Sequence, residues 1–462
     1  MGMIFHIAAE LVIFRNLSRI CLAWLIAFAS VFPSAAQQNN RVSIIRDAEI
    51  ERLIRDYARP IIKASGLGKG AADIVLVNDS SFNAFVSGRR LFIHTGAILQ
   101  AETPGEIIGV IAHETGHLAG GHQFRLRQRA DTAEKVAVLT TILGMGISVA
   151  GAASGNGAVA GAGGGIAAGG AEAAARSVLS YQRGEEMSAD SSAIEYLNRT
   201  QQSAAGLLTT LGRFADALTL SGTRVNPYRI SHPLPQERIA NLKTLAEAST
   251  FFSKKDSAEL QMRHDLVRAK IAAYTIGGTV IQRLFRKDPK GIGARYGLAL
   301  TTFLTGSPKS ALSKVDALIK EKPANPYFHE LRGDVLIKLN KAGEAAKSYQ
   351  RAMKLDPDKS SLIQVGYGQA LLLSGNAEAA KKQLVAALGR DKDNSLAYEF
   401  LAQAHGQTGD IPNAELSTAD MHYYGGNFQQ AKIFAARAQR QFKTGSPGWL
   451  RADDIIKYKP KK

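Results

Sequence analysis

An apolar run, Ile107-Ile108-Gly109-Val110-Ile111-Ala112, leads without a break into His113-Glu114-Thr115-Gly116-His117. On an α-helix, residues four apart differ by about 40° in azimuth and one turn in rise, so His113 and His117 aim their imidazoles at one point. Two histidines and a glutamate on a helix otherwise suited to a core are costly to bury without a partner, and this spacing suits a metal ion. Glu114, beside the first histidine, is placed to take a proton from water rather than to bind the ion. The helix has a clear start: Thr103 as N-cap, Pro104 as first helical residue and Glu106 completing a capping box. The pattern His-Glu-x-x-His-x-x-Gly-x-x-His would put a third histidine where this chain has Gln123. His122 falls one residue early, so the third ligand is expected downstream.

Upstream, Ile44, Ile45, Ile50, Leu53, Ile54, Tyr57, Ile61 and Ile62 recur at helical spacing and predict an amphipathic helix broken near Pro60. Ala72–Val77 and Arg90–His94 read as two strands, with turn chemistry at Asn78–Ser81 and Ser87-Gly88. Such a sheet either offers an edge to an extended peptide or only covers the helix, and the pattern leaves both open. From Val136 to Gly170 no charged residue occurs, and the composition turns to Gly and Ala. A flexible loop or lid over the site, at about 144–175, is the preferred reading. The alternatives are a small-residue helical hairpin, packed on the domain or dipping into a membrane surface, and a two-pass membrane segment whose glycines offer little apolar area. Beyond it, Glu186 and Asp190 lie four apart at the start of a helical run through Ala193, Ile194 and Leu197. They suit a third ligand and a carboxylate that orients a ligating imidazole. An acidic helix start held by its dipole explains them equally well.

Taken in order, His113–His117, then Glu186-Met187-Ser188-Ala189-Asp190, then Ser231-His232-Pro233-Leu234-Pro235-Gln236-Glu237-Arg238-Ile239 resemble the successive motifs of the Ste24-like gluzincin metallopeptidases. The segment with Asn83-Ala84-Phe85 and Gly88–Ile93 is similar to the stretch before the metal helix in that family. The resemblance covers residues 42–245 and points to the BepA-like periplasmic branch. It implies one zinc ion held by His113, His117 and Glu186, with Glu114 as general base and Asp190 orienting a ligand. His232 would then lie near the metal, as a fourth ligand in a closed state or a transition-state stabiliser in an open one, with Arg238 close by.

In the second half of the chain, small residues recur with a period of about 34. Ala299, Gly333, Gly368 and Ala402 form one phase, Ala311, Ala345, Ala380 and Ala414 a second, and Gly306, Gly375 and Gly409 mark turns. The series resembles tetratricopeptide repeats, whose paired helices curve into a groove for peptides or partner proteins. Ala419–Gln441 reads as a degenerate last helix pair. The expected fold is therefore mainly α with a small β-sheet: a gluzincin metallopeptidase domain followed by an α-solenoid of helix pairs. The expected divisions are a signal peptide at 1–36, the metallopeptidase domain at 37–250, a charged helical linker at 251–290 and repeats at 291–462.

Arg15 and Arg19, the apolar run Ile20–Phe32 and Ser34-Ala35-Ala36 form the signal, which implies export to the periplasm. The only cysteine, Cys21, lies inside it, consistent with an oxidising compartment entered without disulfides. A net charge of +17 is spread along the chain with no basic block or nucleic-acid motif. It reads as solubility with attraction to anionic surfaces, and nucleic acid is excluded as a partner. The expected activity is zinc-dependent endopeptidase action on unfolded or misassembled envelope proteins, with clients or envelope assembly machinery held by the repeats and peripheral membrane contact. A chaperone or assembly scaffold with a latent metal site is the alternative, and a membrane-embedded peptidase a third reading.

Overall fold

The computed structural model describes residues 43–68, 70, 72–154, 156–220, 232 and 236–460. The expected signal with Cys21 lies outside them, as do Ser231, Pro233, Leu234 and Pro235 of the third motif and the terminal Lys461 and Lys462. Ile44–Lys462 forms one unit.

Four strands pair in the order β1–β2–β4–β3: β1 (Ile44–Ile45), β2 (Asp73–Val77), β3 (Ala84–Ser87) and β4 (Arg90–His94). β2 and β4 run parallel, and β3 returns antiparallel to β4 across a turn at Gly88, whose φ of 61° is left-handed. Compact β-branched runs flanked by turn residues pick out β2 and β4. β1 and β3 are too short to declare a period of two, although Ala84, Val86, Leu91 and Ile93 all point into the core. β3 is left at the edge.

Helix α1 (Ala48–Ala64) is capped by Asp47, which accepts from the amides of Glu49 and Ile50, and it runs through Pro60 without the expected break. Pro60 lies on the exposed face, where water can satisfy the carbonyl that its missing N–H leaves open. After α2 (Thr95–Gln100) comes α3 (Pro104–Gly120), buried continuously from Ile107 to His117. Its capping box forms, with Glu106 Oε1 accepting from the Thr103 amide at 3.2 Å.

The Gly/Ala stretch, preferred as a loop or lid, is instead helical. α4 (His122–Ala153) and α5 (Gly157–Arg199) form a long antiparallel hairpin. Its glycines serve close packing: a Cβ on Gly144 would lie 2.4 Å from the Gly163 carbonyl oxygen, and one on Gly163 2.4 Å from that of Gly144. α6 (Ala205–Leu220) and α7 (Gln236–Glu247) complete the first domain.

The expected linker contains α8 (Ala258–Thr275) and α9 (Gly278–Leu284), and α8 is no spacer. Its Val267 and Ile271 belong to the core around α3, while Leu266, Ala269, Ala272 and Ala273 belong to the core of the first repeat. His264 on α8 meets the Tyr57 hydroxyl at 3.1 Å and the Ala101 carbonyl at 3.0 Å. α1 adds a second tie: the Tyr296 hydroxyl donates to Glu49 at 2.9 Å and Lys270 bridges to Asp47 at 2.7 Å.

The repeats are helix pairs: α10 (Ile292–Leu304) with α11 (Pro308–Glu321), α12 (Pro326–Lys338) with α13 (Ala342–Leu355), α14 (Ser361–Leu373) with α15 (Ala377–Leu388), and α16 (Ser395–Gln407) with α17 (Ile411–Tyr424). Each phase of small residues falls on one member of the pairs. Gly306, Gly375 and Gly409 turn with φ between 75° and 86°, and Asn340, at 58°, takes that place in the second pair. The segment read as a last pair is the second half of α17 plus α18 (Phe428–Gln441), and α19 (Pro447–Lys457) follows, capped by Ser446.

Candidate metal centre

Glycines decide where the site's walls stand. A Cβ on Gly116 would meet the Ala189 carbonyl oxygen at 2.9 Å, so α5 crosses α3 with its backbone against the histidine motif. That contact brings Glu186, one turn earlier on α5, over His113 and His117. Gly121, at φ 64°, ends α3 and turns the chain, and Gly120 leaves the space that the His122 ring occupies, since a Cβ there would lie 2.1 Å from His122 Nε2.

One ligand atom from each of His113, His117, Glu186 and His232 lies within 4.8 Å of the others. His113 Nε2 and His117 Nε2 are 3.0 Å apart, and Glu186 reaches them with Oε2 at 3.4 Å and Oε1 at 3.3 Å. His232 Nδ1 stands 3.0 Å from Glu186 Oε1 and 3.4 Å from His113 Nε2, while its Nε2 is 3.3 Å from Glu114 Oε1. The far sides of the rings are also engaged. His113 Nδ1 lies 2.9 Å from Asp190 Oδ1, whose carboxylate is gripped by Arg238 Nε at 2.6 Å and Nη2 at 2.8 Å. A third Arg238 nitrogen, Nη1, is 2.7 Å from Glu186 Oε2. Asp190 and Arg238 thus stand behind the four-residue cluster.

His117 has a different support. Its Nδ1 is 2.9 Å from His122 Nδ1, and His122 Nε2 is 2.8 Å from Glu185 Oε2, which also takes an Arg125 contact at 3.0 Å. If His117 turns its Nε2 lone pair inward, its Nδ1–H donates to His122, which must then donate through Nε2 to Glu185. One tautomer choice then sets the others along the row. Sequence reasoning missed His122 and Glu185. His122 misses the ligand spacing, and its actual part depends on the Gly120-Gly121 turn, which ligand spacing does not encode.

The donor set fits a divalent cation. If the Nδ1 protons point to Asp190 and His122, the two Nε2 lone pairs face each other at 3.0 Å, an arrangement that needs positive charge between them. Where no metal supplies it, a proton must. Burial alone would lower the His113 pKa, but its bonds to Asp190 and Glu186 raise it to about 9. His117, buried beside His113 and His232, falls to about 4. Burial raises Glu114, whereas Glu186 is held well below the carboxylate range by the three histidines despite its burial. Of the carboxylates around the cluster, Glu114 alone is shifted upward, as a group that must both take and return a proton requires.

A cavity of about 250 Å³ opens beside this cluster, walled by Phe85 and Val86 of β3, by Gln123 and by His232. The Gln123 amide donates to the Val86 carbonyl, so β3 both packs on α3 and lines the cavity beside the cluster.

The profile of Peptidase family M48 matches residues 45–246, and a tetratricopeptide repeat profile matches residues 336–404. The chain is similar to the Beta-barrel assembly-enhancing protease of Escherichia coli strain K12, with 23% identity over 436 residues, 91% of this chain and 85% of that protein. It is similarly related to the protein of that name from Yersinia pestis, at 23% identity over 434 residues, again 91% and 85% of the two chains.

Proposed function

From a chain that joins a peptidase family M48 domain to C-terminal tetratricopeptide repeats, and is thereby a metallopeptidase, we propose an exported zinc endopeptidase that hydrolyses misassembled envelope β-barrel proteins brought to it by the repeats. The observation that carries this reading is the convergence of His113, His117, Glu186 and His232 with Glu114 alongside. The relatives' name supplies the client class. His113, His117 and Glu186 would hold the ion, with Asp190 and Arg238 keeping His113 and Glu186 in place. Zinc, when bound, supplies Lewis acidity and lowers the pKa of water toward about 7.

The protein's own steps follow from the geometry. A client strand pairs with the β3 edge once Gln123 releases the Val86 carbonyl, which lays the peptide along the cavity. Glu114 takes the proton of the attacking water and returns it to the leaving amine nitrogen; burial, by raising its pKa, makes the return favourable. Hydrolysis breaks the C–N bond, and the water's oxygen and hydrogens are divided between the new carboxyl and amino ends. His232 lies between Glu114 and Glu186, where substrate and water would need to enter. It acts as a plug in this arrangement and steadies the developing oxyanion when it moves aside. The scaffold reading draws on the same closed position of His232.

The test is cleavage of an unfolded outer-membrane β-barrel protein, with and without a chelator, by the wild type and by His232→Ala. Chelator-sensitive cleavage supports the peptidase. Zinc-loaded protein that binds the client tightly yet leaves it intact in both forms favours the scaffold.

A further inference from the structure

The α4–α5 hairpin is packed inside out for a part of a protein that sits in water. Its inner seam is made of small residues: Gly144, Gly151 and Gly163 are buried between the arms, and a Cβ on Gly151 would lie 2.4 Å from the Ala160 nitrogen. The large apolar side chains face outward, with Leu139, Ile142, Leu143 and Met145 each more than half exposed and Val149 69% exposed. Close helix approach through small residues with large side chains outside is what a helix pair needs in lipid, where apolar side chains gain nothing by hiding from their surroundings.

The polar groups follow the same rule. Between Val136 and Ser154 there are four hydroxyls, and each donates to a carbonyl of the hairpin: Thr140 to Val136, Thr141 to Ala137, Ser148 across to Ala160 and Ser154 to Gly151. No hydroxyl in this stretch relies on water, the condition that hydrocarbon imposes. The uncharged part of α4, from Val136 to Ala153, rises about 27 Å, close to the thickness of a hydrocarbon core. Among the described residues α4 is the helix long and apolar enough to cross a membrane. Below the apolar part, Arg127, Arg129 and Lys135 lie on α4, and Arg129 stacks on Tyr181 of α5 at 5.1 Å. Asp131 and Glu134 stand among them, so the collar is a charged and aromatic one with a small basic excess, which suits the level of the headgroups.

We propose that the hairpin from Val136 through Ala171 inserts tip first into the hydrocarbon of a bilayer with anionic headgroups, with the exposed apolar side chains of α4 facing lipid. The metal centre then stands at a fixed height above the membrane. Glu186 lies 15 residues along α5 from Ala171, a rise of about 22 Å. Clients would be reached at the membrane surface and not only in free solution. Because the proposal concerns depth and not hydrolysis, it stands or falls independently of the peptidase reading.

The test uses the full chain carrying Cys21→Ser and Leu143→Cys, labelled with an environment-sensitive fluorophore and mixed with phosphatidylethanolamine–phosphatidylglycerol vesicles. A label at Ser313→Cys on the exposed face of α11 is the control. The expected result is a blue shift, a several-fold loss of iodide quenching and quenching by spin-labelled acyl chains at position 143 alone. Adding Ile142→Asp should weaken insertion on the order of 10²-fold while leaving hydrolysis of a soluble peptide unchanged. A label at 143 that stays open to iodide on vesicles overturns the proposal. So does one that is shielded without lipid, either by unfolded client or by rising protein concentration, because the face would then belong to a client or to a second copy.

Discussion

Gly116 sets how closely α5 approaches α3, and so where Glu186 and Asp190 stand relative to His113. Gly116→Ala puts a methyl 2.9 Å from the Ala189 carbonyl oxygen. The expected result is a loss of about 1–3 kcal/mol in stability together with weaker zinc binding, read by thermal melts and chelator competition. An unchanged zinc affinity would show that the helix spacing does not set the site. His122→Ala leaves His117 Nδ1 without its acceptor and should weaken zinc binding about 10–100-fold at little cost to the fold. Unaltered affinity would remove His122 from the site. At this scale the sequence shows what local spacing fixes: the two histidines and Glu114, one turn apart on a single helix. Glu186, Asp190 and His232 required the order of three motifs, because distant segments meet through packing that no spacing records. His122 and Glu185 were illegible for a further reason: their bonds follow from a left-handed turn at Gly121.

Among the elements, the hairpin and α8 depart most from expectation, and for related reasons. Glycine in a sequence signals freedom until a partner helix uses its missing side chain, and Gly144 and Gly163 have each other. Charge in a sequence signals solvent until a partner is found, and α8 buries Arg268 and Lys270, with Arg268 donating to the Leu99 carbonyl at 3.2 Å. His264 on the same helix gives a test. Burial lowers its pKa to about 3 in the fold, against an unfolded value near 6.5. Below pH 6.5 the unfolded chain takes up a proton that the folded one refuses, so His264 subtracts stability as pH falls toward 3. The loss should be roughly 2 kcal/mol between pH 7 and pH 5. Denaturant titrations at the two pH values should show that difference shrinking in His264→Gln; equal pH dependence in the two proteins would mean that His264 is not buried neutral.

For the whole molecule, the period of about 34 residues made the repeats readable from small residues alone, since each unit repeats the same close helix contact. What it did not convey is that repeats and catalytic domain share a core. α8 contributes to both, and α1 reaches the array through Glu49 and Tyr296. Calorimetry should therefore show the two parts unfolding in one transition, with Ile271→Ala lowering the melting of both; two separated transitions would mean that the parts are independent. The central claim, that this cluster hydrolyses peptide bonds with Glu114 as the base, is tested most directly by the cleavage rate of an unfolded β-barrel protein, wild type against Glu114→Gln at matched zinc content. The account predicts cleavage by the wild type and a loss of about 10²–10⁴-fold in the variant. Equal rates from the two zinc-loaded proteins would contradict it.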